Sequence, residues 1–179
     1  MRNQLRDHLA VLRRYALVLT RDRTQAEDLV QEALLRALAG EHGRDPARHI
    51  RPWLLSIVHN THVSRRRRAT LESTVAKDLE AVATATVPAG QATRLELKRT
   101  IAALLELPEP QREALVLVAV EGMSYKEAAD ILNIPVGTLM SRLARGREAL
   151  RATSEAAERR ERTLLSRIAE TSPALKRVK

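Results

Sequence analysis

Arg142, Arg145, Arg147 and Arg151 crowd a stretch of ten residues, and a guanidinium in such a setting has two chemistries. It pairs with phosphate oxygens, or it donates two parallel hydrogen bonds to the O6 and N7 edge of a guanine. Either use needs a helix that holds the arginines outward and a scaffold that sets it against a duplex. The preceding residues describe that scaffold. Ser124, three residues before Glu127, makes a capping box that opens a helix at Tyr125. Ala128, Ala129, Ile131 and Leu132 give this helix a short apolar face, with alanine where two helices approach closely. Asn133, Ile134 and Pro135 supply a stop and a turn. A second helix follows from about Val136, with Leu139, Leu143 and Leu150 inward and the arginines mostly outward. A small-residue helix, a tight turn and an arginine-bearing helix form a helix-turn-helix suited to a major groove.

Short amphipathic helices with surface arginines also occur in bundles that never meet DNA. Composition favours the nucleic-acid reading: the 179 residues carry a formal net charge of +9 and a pI near 10.9. Such charge calls for a polyanion or an acidic protein surface, and does not by itself separate the two.

The length allows one domain or two small ones. Aromatic residues are only 2% and Phe is absent, so the core must be built from Leu, Val, Ile and Ala. No alternating β-branched segment appears, and the chain reads as all-α. The absence of cysteine excludes disulfides and thiolate metal sites. The longest apolar run, Ala114 to Val120, is too short for a bilayer, and Arg13 and Arg14 interrupt any signal-peptide pattern. A cytoplasmic protein without membrane insertion is expected.

Along the chain, Leu5, Leu9, Leu12, Ala16 and Leu19 mark a first helix. Thr24 and Glu27 fit a second capping box, opening a helix with core face Ala26, Leu29, Val30, Ala33, Leu34 and Ala37. Gly40 to Arg48 reads as a loop. Pro52 suits a helix start, and Trp53, Leu54, Ile57 and Val58 carry a third helix that ends in Arg65, Arg66, Arg67 and Arg68. The expected organisation is two small helical domains, residues 1–68 and 93–151, joined by a flexible linker at 69–92. The second domain opens on Leu97, Ile101, Leu104 and Leu105. Pro108 and Pro110 then start a helix with its apolar body at Leu115 to Val120, ended by Gly122. Residues 152–179 form a charged tail, with helical character at Leu164, Leu165 and Ile168.

Several stretches carry a family resemblance. Ala26-Glu27-Asp28-Leu29-Val30-Gln31-Glu32-Ala33 resembles the second conserved region of bacterial sigma factors, and Pro52-Trp53-Leu54 through Ile57 to Asn60 is similar to the promoter-melting helix that follows it. Leu107-Pro108, Gln111-Arg112-Glu113, Gly122-Met123-Ser124-Tyr125, Glu127-Ala128-Ala129, Pro135-Val136-Gly137-Thr138, Ser141-Arg142 and Arg145-Gly146-Arg147-Glu148 resemble the fourth region. The short linker and the lack of other regions suit the small extracytoplasmic-function (ECF) type of the sigma-70 family, over roughly Leu5 to Arg151.

That resemblance implies roles. Asp28, Gln31, Glu32 and Leu35, on the face opposite the core stripe, would dock on the clamp coiled coil of the polymerase β′ subunit, and the second domain on the β flap. The loop from Gly40 to Ile50 and the Trp53–Arg68 helix would meet the −10 element, Asn60 contacting a flipped base with an amide that both donates and accepts. Trp53 would stack or wedge, though a lone Trp on a helix is more often core. Arg65, Arg66, Arg67 and Arg68 would grip phosphates, a row that also suits a helix end with its negative dipole. Thr138, Ser141 and Arg145 would lie near base edges or adjacent phosphates of the −35 element, with Arg142 and Arg147 on phosphates. The chain departs from the pattern in two places. Many relatives carry aromatics where Ile50 and Arg51 stand, and some place Arg and Phe where Met140 and Ala144 stand.

The implied partners are core RNA polymerase, promoter DNA and an anti-sigma factor. Two other readings compete: a stand-alone helix-turn-helix regulator, and a sigma mimic that sequesters an anti-sigma factor. No enzymatic constellation is present, neither a Gly-rich phosphate loop nor a nucleophile elbow. His59 and His62, at i, i+3 spacing, offer two corners of a metal site, but no third ligand is evident along the chain, and no cofactor is expected.

Overall fold

A computed structural model describes residues 2–40, 49–73 and 91–171, all organised by helices. α1 (Arg2–Thr20) buries Leu5, Leu12, Tyr15, Ala16 and Leu19, a stripe at helical spacing to which Tyr15 adds the largest side chain. At Arg21 (φ 57°) the backbone turns left-handed and reverses into α2 (Arg23–Ala39). The cap of α2 differs from the expected Thr24–Glu27 box. Asp22 is the N-cap, accepting the Gln25 N–H at 2.7 Å. An aspartate with extended backbone just outside the helix is the better cap, and Thr24 falls inside the first turn. Glu27, freed from capping, takes the Arg13 guanidinium at 3.1 Å. Ala26, Leu29, Val30, Ala33 and Ala37 face inward as expected, and Leu34 is half-buried.

α3 (Ile50–Ser73) buries Leu54, Leu55 and Val58 against α1 and α2. It runs five residues beyond Arg68, so the four arginines lie within the helix and not at its end. Of the loop expected at 40–48, residues 41–48 lie outside the described residues; of the linker expected at 69–92, residues 69–73 continue α3, residues 91 and 92 open the next helix, and 74–90 lie outside the described residues.

The second half begins with α4 (Gln91–Glu106), followed by α5 (Glu109–Leu115), entered through Pro108. The apolar run beyond α5 does not continue as α-helix: Val116–Val120 widens into a π turn, closed by Glu121 N–H to Val116 C=O at 2.9 Å. Gly122 (φ +64°) then reverses the chain, and Met123 N–H reaches back to Leu117 C=O at 2.9 Å. A Cβ at Gly122 would meet nothing within 4 Å, so its backbone angle is what calls for glycine.

α6 (Tyr125–Leu132) has the expected capping box: Ser124 Oγ accepts from Glu127 N–H at 3.2 Å, and Glu127 Oε2 accepts from Ser124 N–H at 2.9 Å. Asn133 (φ 51°, ψ 50°) closes it in the left-handed region, which asparagine tolerates. α7 (Val136–Thr171) spans 36 residues, about 54 Å at 1.5 Å per residue. The stretch from Ala152 to Thr171 is therefore an extension of the second helix of the motif. α7 lies on α5, α6 and α4, with Leu139 and Leu143 fully buried. Gly146 sets the closeness of that crossing, since a Cβ there would lie 2.7 Å from Leu115 Cδ1.

The two halves pack on one another. α6 lies across α3, and α5 with the π turn lies against α1.

Candidate nucleic-acid interface

On α7, Thr138, Ser141 and Arg145 share one exposed face on the side away from the buried pair Leu139 and Leu143, and Arg147 is exposed half a turn round from Thr138. Met140, Val136 and Ala144 are exposed beside them, which gives this face methyl groups as well as donors. Arg142 is only half-buried but differs in direction: its charge is felt by His59 and Glu113, at the contact between the halves. The first turn, Pro135 to Thr138, is held by Thr138 N–H on Pro135 C=O at 2.9 Å. The arrangement is a rigid helix with a polar, cationic outer face and a short partner helix behind it.

α3 carries the second cationic surface, and much of it is engaged. Arg65 donates from Nε to Glu32 Oε2 at 2.6 Å and from Nη2 to the Asp28 carbonyl at 2.9 Å. Arg66 pairs with Glu109 of α5. Arg67, Arg68 and Asn60 are exposed. Trp53 is half-buried, packed against the core and lining a cavity of about 420 Å³ between α3 and α6, with Pro52, Ser56, Lys126 and Asp130. Its ring thus faces the other half of the molecule.

On α2, Asp28, Gln31 and Leu35 are exposed, Leu35 at 68%, and Leu38 extends the apolar part at 42%. Glu32 is half-buried between Arg36 and Arg65, each at 2.6 Å. Burial pushes the Glu32 carboxyl up, but the two guanidiniums outweigh it and hold the group below its ordinary value. The α2 face is therefore an exposed mixture of acid, amide and leucine.

The contact between the halves was not foreseen in the residues. Glu121, whose side chain is wholly buried, receives Arg14 Nε at 2.6 Å, Arg14 Nη2 at 2.9 Å and Arg51 Nη2 at 2.6 Å. Arg112, only 2% exposed, donates from Nε to Val18 C=O at 2.9 Å and from Nη1 to Leu107 C=O at 2.8 Å. Arg21 reaches the same Leu107 carbonyl at 3.2 Å. Close by, His62 Nε2 lies 3.2 Å from Glu109 Oε1, His59 Nδ1 lies 3.9 Å from Glu113 Oε2, and the Tyr15 hydroxyl lies 3.4 Å from His59 Nδ1. Burial, with Glu109 alongside, raises the Glu113 carboxyl to about 7; burial, with His62 alongside, lowers His59 to about 4. Arg51, at a position where the resemblance implied an aromatic, donates to Glu121. Two local signals bear on it, an acid directly before the reversing Gly122 and an arginine, Arg112, just ahead of the apolar Ala114–Val120 run.

Comparison with known proteins bears on both halves. Residues 5–72 match the family Sigma-70 region 2, and residues 97–150 match Sigma-70, region 4. The chain is 41% identical over 146 residues to the ECF RNA polymerase sigma factor EcfG of Rhodopseudomonas palustris, covering 79% of this chain and 77% of that one. It belongs to the ECF sigma factors of the sigma-70 family. It is also 34% identical over 140 residues to the sigma factor SigM of Bacillus subtilis, covering 78% of this chain and 85% of that one. Among solved structures, the sigma factor RpoE of Bartonella quintana, in complex with the anti-sigma factor NepR, superposes with a TM-score of 0.77 at 32% identity, covering 86% of this chain and 96% of that one. This ECF sigma factor is all-α, built from the two expected regions, and is a transcription initiation factor by family. No described helix is long and apolar enough to cross a membrane.

Proposed function

We propose that this protein brings core RNA polymerase, in the cytoplasm, to promoters with paired −35 and −10 elements. The observation that carries the reading is the α7 face: Thr138, Ser141 and Arg145 project from one side of a rigid helix, away from the buried Leu139 and Leu143, with Arg147 exposed on the flank of the same helix. Thr138, Ser141 and Arg145 read base edges and neighbouring phosphates of the −35 element, and Arg147 and Arg142 hold phosphates. The α2 face of Asp28, Gln31, Glu32 and Leu35 docks on the β′ clamp coiled coil, and the second domain on the β flap. Asn60 receives a base flipped from the −10 strand while Trp53 and the arginines from Arg65 to Arg68 hold the strand. The domains behind these roles are residues 1–68 and 93–151, with 69–92 between them and the segment 152–179 following.

The packed arrangement is not the working one. Trp53 faces α6, and Arg66 is bound by Glu109 of the second half, so engaging a −10 strand requires the halves to part. A chain that packs its own regions together also suits control by an anti-sigma factor, the kind of complex in which the Bartonella quintana relative was solved.

Transcription in vitro tests the reading, with purified core polymerase, this protein and a library of promoter fragments. Transcripts from a −35/−10 subset, absent without the protein, are expected. Duplex binding with no polymerase association would overturn it in favour of a simple regulator. Polymerase binding with no transcript from any fragment would overturn it in favour of a mimic.

A further inference from the structure

The two histidines at i, i+3 spacing gain in space the partners they lack in sequence. His62 Nε2 and one carboxylate oxygen each from Glu109 and Glu113 all lie within 4.8 Å of one another. The His62–Glu109 separation is 3.2 Å. Ligands 2.0–2.1 Å from a tetrahedral ion stand roughly 3.3 Å apart, so this pair is already at coordination spacing, and a Glu113 oxygen lies within 4.8 Å of both. Glu109 and Glu113 sit one turn apart on α5, and His62 comes from α3 across the contact between the halves.

Three further features fit a cation. A Glu109 and a Glu113 carboxylate oxygen lie within 4.8 Å of one another, two acids sharing a place that a positive ion would suit. His62 is 9% exposed and Glu113 7%, which shields the position from bulk water. An outer partner is also in place. Arg66 takes the other oxygen of Glu109, leaving Oε1 for a ligand role. A carboxylate ligand braced by a second hydrogen bond is the usual arrangement around protein-bound metals. Arg112 and Arg142 oppose a cation at longer range, and Arg66, with a side chain 62% exposed, can withdraw toward solvent.

We infer that His62, Glu109 and Glu113 form a binding site for a divalent first-row transition ion of the zinc type, built across the two sigma regions. One imidazole with two carboxylates suits zinc or cobalt better than magnesium, which favours oxygen ligands alone. Water fills the fourth position. Because its ligands come from both halves, the ion binds only the packed arrangement. At a free concentration 100 times its dissociation constant it favours that arrangement about 100-fold. The consequence for transcription rests on the sigma reading above; the binding itself does not.

The test uses the full chain stripped with chelator and titrated with Co2+, read by visible d–d absorption, and with Zn2+, read by calorimetry and thermal unfolding. One equivalent is expected to bind and to raise the unfolding temperature, with Mg2+ inert. His62→Ala and Glu113→Gln should each weaken binding by 10-fold or more. Circular dichroism checks that each variant is folded, and Glu113→Gln keeps the size of the side chain should His62→Ala disturb packing. No saturable binding, or binding that survives both ligand substitutions and so belongs to surface histidines such as His8 or His49, would overturn the site. If the metal binds as described while the protein directs no transcription, the site stands and the sigma reading fails.

Discussion

The two helices proposed to meet DNA, α3 and α7, are in opposite states within one molecule. α7 holds Thr138, Ser141, Arg145 and Arg147 toward solvent, whereas α3 has Arg65 on Glu32, Arg66 on Glu109 and Trp53 against α6. The difference lies in what each packs against. α7 rests its leucine face on its own domain, so its polar face is left over by construction. α3 is amphipathic for its own domain too, but its remaining face meets acids of the second one. Among the described residues no ion pair reaches Arg145 or Arg147 of α7, whereas Glu32, Glu109 and Glu121 hold Arg65, Arg66 and Arg51 of α3.

Breaking the contact should separate the two helices' behaviour, and the largest effect belongs to Arg112. Arg112→Met removes the donor to Val18 and Leu107 carbonyls in a buried setting, and should cost about 3 kcal/mol of stability by urea unfolding. A loss under about 1 kcal/mol would mean that the contact is not held there. Next is Glu121→Gln, which deletes the charge shared by Arg14 and Arg51. Both arginines are partly exposed, so the expected cost is about 2 kcal/mol. Its α3 surface should become more accessible to protease or footprinting reagents while the α7 surface does not change. Equal gains on both surfaces would erase the contrast between them.

Arg145→Ala addresses the open helix alone. It should leave stability within about 0.5 kcal/mol of the parent, because the side chain is exposed. If Arg145 is bidentate to a guanine, about 1 to 3 kcal/mol of discrimination at that −35 position is lost, read from binding or transcription across substituted promoters. The smallest effect is at Gly146→Ala. The added methyl collides with Leu115, but helix propensity gained offsets part of the overpacking, for a net destabilisation of about 1 kcal/mol. A neutral result would mean that Leu115 simply rotates away.

Elements whose signals are local were legible in the sequence. The Ser124–Glu127 box, the Asn133-Ile134-Pro135 turn, the leucines under α7 and the core face of α2 are each written within a few residues, and short-range hydrogen bonding and helical periodicity decide them. The misreadings share a different cause. Thr24–Glu27 and Asp22 both satisfy a capping pattern, and the backbone chose the residue one step outside the first turn. The Leu115 to Val120 run has the same composition in an α or a π turn. The pairing across the halves could not be read locally, because Arg14 and Glu121 are 107 residues apart and Arg112 and Val18 are 94. His62 likewise gained its third ligand only through the fold.

The most direct measurement of the central claim is a distance between the halves during initiation. The chain has no cysteine, so Thr24→Cys and Ala102→Cys, both at exposed positions, place a fluorophore pair on α2 and α4 without background. The free protein should give a short, single distance. Core polymerase with a −35/−10 promoter should lengthen it as transcripts appear, since α3 must leave α6 to take the strand. Transcription at an unchanged distance would contradict the account, because it would show that α3 serves the promoter while still packed on α6.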